Sequence, residues 1–365
     1  MKKIIIMGLL LVPIMVMGQS MKRNAKIIRG TIVQQSFSLE DDDNSMSELS
    51  FPIQVIWPVN PDLNLQLVTT PANASYGDYS MGGLSDTYMK STYLFAEKKG
   101  MVGLGLGLPT GATELDSEQQ LISSIISTNV LRFQLPVYGQ GFTVNLGLAY
   151  AQPVNEKMVV GGGLSYVFRG KYKPVENSVA GYNPGDQFAI NLGADYLLNE
   201  QMKLYFDIVY NLYMADQSER DGDIFNSGSK MCFNVGFLMN TDFYMLLVNG
   251  VFRQKGKNEF LYGSELIAES ENSNGPQAEL DATLRYGINE KMAALGFAVI
   301  RAYGENGYKS GDAALFGLGG GADYVVSPKV TIDGALKFYF GRMGGGSAAR
   351  SLSGFEFLLG FTMRQ

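Results

Sequence analysis

Hydrophobic and polar residues alternate with a period of two along most of the chain. Between residues 187 and 198, apolar side chains occupy the even positions, and Gln187, Asn191 and Asp195 stand among the odd ones. A period of two predicts β-strands whose successive side chains point to opposite faces. Strands with one apolar and one polar face are typical of a membrane barrel, in which one face contacts lipid and the other a wet lumen. The same alternation occurs at 203–214, 231–239, 279–288, 330–340 and 355–364.

Connections between these stretches are of two lengths. From residue 156 onward short and long connections alternate strictly, as the turns and loops of an outer-membrane barrel do. A soluble β-sandwich would not need this asymmetry. We therefore predict an all-β fold: a transmembrane antiparallel β-barrel of the bacterial outer membrane with 14 to 16 strands, short periplasmic turns and longer external loops. The short turns lie at 58–61, 153–156, 199–200, 240–241, 289–290 and 327–328, and the long loops at 171–184, 215–227, 255–276 and 343–352.

The number of strands depends on the first part of the mature chain. Sixteen strands result if 24–39 and 50–57 lie in the wall, and fourteen if they stay outside it. Sixteen also requires that residues 109–139 form one external excursion, although 130–137 resembles a strand. Within that excursion, Asp116 or Ser117 is placed to cap a short helix. The helix could rest on the mouth of the barrel, fold inward as a constriction, or belong to a loop packed on itself.

The N-terminus has the three parts of a secretory signal peptide. Two lysines precede the apolar run 4–17, which ends at the small residue Gly18. An apolar run of about 14 residues is shorter than the roughly 20 that a spanning helix needs. We therefore divide the chain into a signal peptide (1–18), an N-terminal segment that is a first strand or a partial plug (19–49), and the transmembrane barrel (50–365).

Composition favours a membrane protein over a soluble enzyme. The chain is 46% hydrophobic with 44 Gly, 21 Phe and 20 Tyr, and only 18% of its residues are charged, against about 25% in soluble domains. Its single cysteine, Cys232, cannot form an internal disulfide. Aromatic residues near strand ends, such as Trp57, Tyr324 and Phe340, match the two interfacial girdles of a barrel.

Charge and residue usage exclude several kinds of chemistry. A net charge of −6 argues against a nucleic-acid partner. The complete absence of His removes Ser-His-Asp and Cys-His nucleophile systems and His-ligated zinc. The acidic run 40–44 lacks the spacing of a calcium loop. We expect no enzymatic activity, no cofactor and no metal site, with outer-membrane lipids and lipopolysaccharide as the surroundings.

Charged side chains on the polar faces are the candidates for lining the lumen. Acids predominate, so a ring of them would bias a pore toward cations. Because both signs are present, the alternative is that they pair across neighbouring strands and simply fill a polar interior. The candidates are Asp195, Lys203, Asp207, Asp281, Arg285, Asp323, Asp333, Lys337 and Glu356.

Two motifs resemble a known family. They are the run Gly83-Leu84-Ser85-Asp86-Thr87, followed by Lys90, and the run 105–111, which contains Pro109 and Gly111. Together they resemble outer-membrane hydrophobic-compound transporters of the FadL-like superfamily, particularly the phenol-degradation meta-pathway transporter branch. This resemblance implies a monomeric barrel that passes small hydrophobic compounds, aromatic or fatty-acid-like, by passive diffusion. It also marks Gly83, Asp86, Lys90, Pro109 and Gly111 as the motif residues.

Two other functions are compatible with the same pattern. The lumen acids would suit a general or cation-preferring porin. The long loops would suit a structural or secretion-accessory barrel that binds a partner protein.

Overall fold

The computed structural model describes residues 25–40, 42–176, 180–344 and 349–365. The predicted signal peptide and residues 19–24 lie outside the described residues. The described part contains one α-helix, α1 (Ser117–Ile126), and a single-turn 3₁₀ helix, Ala96–Lys98. Neither is long and apolar enough to cross a membrane.

Strands make up most of the described chain. They are β1 (Ile27–Leu39), β2 (Ser45–Ser50), β3 (Ile53–Pro58), β4 (Leu63–Thr69), β5 (Pro71–Tyr76), β6 (Tyr79–Leu84), β7 (Thr87–Phe95), β8 (Gly100–Leu108), β9 (Thr143–Pro153), β10 (Met158–Arg169), β11 (Tyr182–Asn183), β12 (Gln187–Leu197), β13 (Met202–Tyr213), β14 (Ala215–Ser218), β15 (Gly222–Asn226), β16 (Lys230–Asn240), β17 (Tyr244–Lys255), β18 (Glu259–Tyr262), β19 (Glu265–Ala268), β20 (Gln277–Gly287), β21 (Met292–Tyr303), β22 (Ala313–Ser327), β23 (Val330–Met343) and β24 (Arg350–Arg364).

Sixteen antiparallel strands close into a barrel. The first strand closes it, because β1 pairs with β24 over its whole length, from Ile27 opposite Arg364 to Leu39 opposite Leu352. Residues 27–39 therefore form a strand of the wall, and the sixteen-strand alternative is confirmed. The fourteen-strand alternative is wrong, because removing this strand would leave two open edges.

Three wall strands are longer than the sequence pattern predicted. β2 and β3 together form the second strand, β4 and β5 the third, and β6 and β7 the fourth. Each is interrupted once, at Phe51-Pro52, Thr70 or Ser85-Asp86. Pro52 cannot donate to a ladder, so a break is expected there. Because of these interruptions, unbroken alternation does not reveal the outer halves of the three strands, which are β2, β5 and β6.

The wall has an apolar outer face and a mixed inner face, as the alternation predicted. Leu148, Leu192, Phe340 and Phe361 are among the outward side chains left exposed. On β1 the odd-numbered residues Val33 to Leu39 are buried toward the interior. Since neighbours in register share a face of the sheet, this fixes which residues of every wall strand face the lumen.

A smaller sheet lies at one end of the barrel. β11, β14, β15, β18 and β19 pair into five strands within the long connections after β10, β13 and β17. At the opposite end the described wall strands are joined by tight turns, such as 198–201, where Asn199 accepts hydrogen bonds from the backbone of Gln201 and Met202. We assign the end with the smaller sheet to the extracellular side, since external loops are the longer ones.

Candidate functional site

Residues 109–142, here called the inward segment, leave the wall between β8 and β9 and fold into the barrel. The expectation of an external excursion is corrected: of the alternatives, the segment adopts the inward fold. Its residues 130–137 are irregular and form no strand. The side chains of Ile122, Leu131 and Phe133 are almost fully buried among inward-facing wall residues. The segment therefore narrows the lumen.

Asp86 ties both ends of the inward segment to the wall. Its Oδ1 accepts a hydrogen bond from the N–H of Gly111 at 3.0 Å, and its Oδ2 accepts one from the N–H of Gln140 at 2.7 Å. Its own N–H donates to the carbonyl oxygen of Tyr138 at 2.9 Å. The side chain is 3% exposed, so these bonds are shielded from water. Asp86 thereby fixes where the segment enters and leaves the lumen.

Helix α1 is capped by Asp116, one of the two residues that the sequence offered as its cap. Asp116 caps it by accepting a hydrogen bond from the N–H of Gln119 at 2.9 Å, and the Gln119 side-chain oxygen accepts one from the N–H of Asp116 at 3.2 Å. This reciprocal pair is a capping box and defines the start of the helix. The helix packs through Ile122 and Ile126 against β5 and β6. It thus covers the outer halves of the third and fourth wall strands from inside.

An apolar cluster holds the inward segment against one side of the wall. Phe133 lies edge-on to Phe37 of β1, with ring centroids 5.5 Å apart, and Phe37 also contacts Tyr339 of β23. Buried aromatic pairs of this kind contribute about 0.5–1.5 kcal/mol each beyond the area they bury. The other buried wall members of the cluster are Leu39, Met46, Ala72, Ala74, Met81, Val299, Ala313, Leu315 and Leu352.

Polar contacts fix residues 130–132, the part of the inward segment that lies across the lumen from Asp86, against β20 and β21. Arg301 donates to the carbonyl oxygens of Val130 at 2.7 Å and Leu131 at 3.1 Å. Arg132 forms a two-point ion pair with Glu279, which also pairs with Arg253 at 2.9 Å. Because β20 and β21 lie across the barrel from Asp86, the segment spans the lumen.

Two buried side chains of the first two wall strands bind the middle of the segment. Gln35 donates to the carbonyl oxygen of Arg132 at 3.0 Å and accepts from the N–H of Gln134 at 2.6 Å. Glu48 accepts from the N–H of Leu135 at 3.0 Å. Both side chains are at most 2% exposed. They satisfy backbone groups that an irregular buried chain would otherwise leave without partners.

Tyr138 holds the part of the inward segment that returns toward β9 against the wall. Its hydroxyl donates to the carbonyl oxygen of Met81 at 2.8 Å. Burial raises the pKa of this phenol, so the hydroxyl stays protonated and remains a donor. A methyl group on Gly111 would overlap the carbonyl oxygen of Tyr138, which explains why that position has no side chain.

The motif residues surround this anchor. Gly83 lies beside the Tyr138 ring, and Pro109 and Gly111 begin the inward segment. Lys90 faces the lumen on β7, opposite Gly105 of β8, and forms no ion pair with the described residues. Four of the five motif residues therefore lie where the inward segment is attached, and Lys90 lies further down the wall.

The nine lumen candidates all lie on the inward face, and most of them are paired. The ion pairs are Lys203 with Asp195 at 2.6 Å, Arg285 with Asp323 at 2.8 Å, Lys337 with Glu356 at 2.7 Å, and Arg29 with Asp333 at 3.2 Å. Asp207 and Asp281 make no hydrogen bond or ion pair with the described residues. The arrangement matches pairing across the wall, not a continuous ring of free acids.

Two inward-facing tyrosines lie against glycines of the neighbouring wall strands. Tyr205 of β13 covers Gly236 of β16, and a methyl group at that glycine would overlap the ring. Tyr88 of β7 lies beside Gly107 of β8, where a methyl group would come within 3.1 Å of the Tyr88 ring and would overlap the Thr143 hydroxyl. Tyr88 is 45% exposed. These tyrosines contribute aromatic surface to the inner face of the wall.

A cavity of about 490 Å³ lies at the extracellular end of the lumen, beside the far end of the inward segment. Lys230 is the first residue of β16 and Lys255 the last residue of β17, and the two are direct partners there. Arg253 is the next inward-facing residue of β17. Thr128, Asn129 and Val130 form its side toward the segment.

Apart from the motif residues Asp86 and Gly111, sequence reasoning did not single out the residues that hold the inward segment or line this cavity. Glu279 and Arg253 sit at inward positions of alternating strands, so the pattern could have placed them in the lumen. No sequence pattern indicated Arg132, Gln35 or Glu48, because only the path of the inward segment brings these side chains together.

Comparisons with known proteins find similarity to solved structures alone. No protein-family model and no curated protein matches the chain. Among solved structures, it is similar to an outer membrane channel from Pseudomonas putida F1 at 12% identity, covering 94% of this chain and 96% of that chain, with a TM-score of 0.37. The CymD monoaromatic hydrocarbon channel is 13% identical, with 93% and 88% covered and a TM-score of 0.45. The outer membrane channel DcaP of Acinetobacter baumannii is 9% identical, with 94% and 98% covered and a TM-score of 0.47. Likenesses this distant carry no conclusion about substrates.

The chain is a bacterial outer-membrane β-barrel. Its closed ladder leaves no unpaired strand edge whose backbone groups would lack hydrogen-bond partners in lipid. Its outer face is apolar, as contact with lipid requires. Its lumen is narrowed by a segment of its own chain.

Proposed function

We propose that this protein is a passive diffusion channel for small hydrophobic compounds, aromatic or fatty-acid-like, and that it works as a monomer without catalysing a reaction. The observation that carries this proposal is the aromatic surface that Tyr88 and Tyr205 contribute to the inner face of the wall. Inward-facing rings beside glycines offer apolar area and stacking to a passing aromatic solute. The inward segment limits the cross-section and so the size of the solute.

The resemblance of the motif residues to FadL-like transporters supports the same function. In this structure Asp86, Gly111 and their neighbours attach the inward segment to the wall. A motif that positions a constriction is expected to recur among channels that select small solutes by size.

The test is uptake of a neutral aromatic probe, benzyl alcohol, into liposomes that contain the purified full-length protein. We expect faster entry than into protein-free liposomes. The double variant Tyr88→Ser/Tyr205→Ser should lose most of the acceleration, because stacking contributes about 1 kcal/mol per ring. Tyr262→Ser removes a tyrosine from the extracellular sheet, where it is 79% exposed, and serves as the matched control. Equal entry with and without protein would contradict the proposal.

A general porin is the second candidate, and the ion-paired inner wall favours it. Four ion pairs give that wall a hydrated surface that a polar solute could also use. In the same liposomes, arabinose entering as fast as benzyl alcohol would favour a porin over a channel for hydrophobic compounds. Single-channel recordings in planar bilayers add the ion preference, and the pairing of most lumen acids argues against a strong preference for cations.

A further inference from the structure

The cavity at the extracellular end of the lumen is lined by three cationic side chains and by no carboxylate among the described residues. Lys230 of β16 and Lys255 of β17 are direct partners in the ladder. Like charges directly opposite each other destabilise a sheet. Arg253, on the same face of β17, brings a third positive charge to the cavity.

Neither lysine has an anionic partner within the described structure. No ion pair and no side-chain hydrogen bond involves the ammonium group of Lys230 or Lys255. Glu279, the nearest buried acid, already pairs with both Arg132 and Arg253. Glu269 and Asp216 act on Lys255 only from beyond ion-pair distance. The cavity therefore holds a local excess of positive charge at the entrance to the constriction.

The remaining lining suits an organic anion with a flat apolar body. Tyr213 and Tyr303 present rings to the cavity, and Asn129, Ser273 and Gln277 supply neutral polar groups. Tyr303 is held in place by its hydroxyl, which donates to Glu279 at 2.7 Å. A volume of about 490 Å³ is within the usual range of small-molecule sites, roughly 300–1,000 Å³.

We propose that this cavity is a binding site for small aromatic carboxylates, in which Lys230 and Lys255 bind the carboxylate group and Tyr213 and Tyr303 contact the ring. The site concentrates anionic solute at the extracellular side of the inward segment. Binding relieves the repulsion between the two ammonium groups, which gives a physical reason for affinity. The inference rests on the proposed channel function only for its biological use, since binding itself does not require transport.

The test measures binding of benzoate to the full-length protein in detergent by titration calorimetry, with benzyl alcohol as the neutral ligand of similar shape. Benzoate is expected to bind more tightly than benzyl alcohol, and more weakly as salt rises, because screening acts on the charged ligand alone. In the double variant Lys230→Gln/Lys255→Gln the benzoate affinity should fall by about tenfold or more, because neutral amides replace the two charged groups that bind the carboxylate. Lys230→Arg/Lys255→Arg should retain binding.

The control variant is Lys157→Gln/Lys291→Gln, which removes two lysines from periplasmic turns and leaves the cavity intact. It should bind benzoate as the unmodified protein does. Equal benzoate affinity in the Gln and unmodified proteins would overturn the proposed site, as would equal binding of benzoate and benzyl alcohol. Benzoate binding without any acceleration of benzyl alcohol entry into liposomes would contradict the channel function and leave the site standing.

Discussion

At the scale of single residues, Asp86 is the motif residue that fixes the path of the inward segment through the lumen. Its two carboxylate oxygens accept from Gly111 and Gln140, which are far apart in the chain from one another and from Asp86 itself. One side chain therefore clamps both ends of a segment that crosses the lumen. The motif residues made this position visible in the sequence, but the sequence did not show what the carboxylate binds.

Asp86→Ala is expected to loosen the attachment of the inward segment. Each buried N–H left without an acceptor costs about 1–3 kcal/mol, and this change leaves two. Single-channel recordings should show larger and noisier conductance than the unmodified protein. Asp86→Asn, whose amide oxygen can accept from one of the two N–H groups, should give an intermediate result. Asp78→Ala, at the exposed tip of the β5–β6 hairpin, is the control. Unchanged conductance in Asp86→Ala would show that the clamp is dispensable.

At the scale of elements, the wall and the inward segment are stabilised by different kinds of contact. The wall is held by its ladder, while the segment is irregular outside α1 and relies on contacts with wall side chains such as Gln35, Glu48 and Arg301. The two ends of the segment lie side by side, because Ala112 and Gly139 are in close contact. The segment can therefore be removed without stretching the wall.

Replacing residues 113–137 by a short Gly-Ser linker should leave a folded barrel with several-fold higher conductance. The physical reason is that the linker joins neighbouring points while the obstruction is gone. Conductance in planar bilayers and the size limit of sugars entering liposomes measure the effect. Deletion of Glu259–Ala268, which lies in the extracellular sheet, removes chain outside the lumen and should change conductance little. A conductance that stays the same after the replacement would mean that the segment does not limit the pore.

At the scale of the whole molecule, closure depends on the pairing of the first and last strands. β1 and β24 share thirteen register pairs, from Ile27 to Leu39. In lipid each unpaired backbone group costs several kcal/mol, roughly as for burial without a partner. An open barrel is therefore not a stable alternative.

A chain lacking Ile27–Leu39 but keeping residues 1–26 should fail to form a heat-modifiable barrel on unheated gels. A chain lacking Glu259–Ala268 should still form one, because that deletion leaves every wall strand in place. A folded band from the first deletion would indicate that residues 27–39 are replaceable and that their place in the wall is not required for closure.

The sequence by itself determined the barrel. Strict alternation and the two lengths of connection are local properties, so most strand positions and their faces could be predicted from them. Capping preference limited the cap of α1 to Asp116 or Ser117. The inward face of all nine charged candidates also follows from alternation alone. What it could not determine was the outer halves β2, β5 and β6, since breaks at Pro52, Thr70 and Asp86 interrupt the period.

Only the tertiary structure decided how the lumen is shaped. Whether residues 109–142 fold inward depends on contacts between residues distant in the chain, such as Arg132 with Glu279 and Phe133 with Phe37. The same holds for charge: strand spacing shows which side chains face the lumen, but cross-strand register decides that Asp323 is paired and that Lys230 meets Lys255. Register and long-range contact are set by closure of the whole barrel, and no local pattern of residues records them.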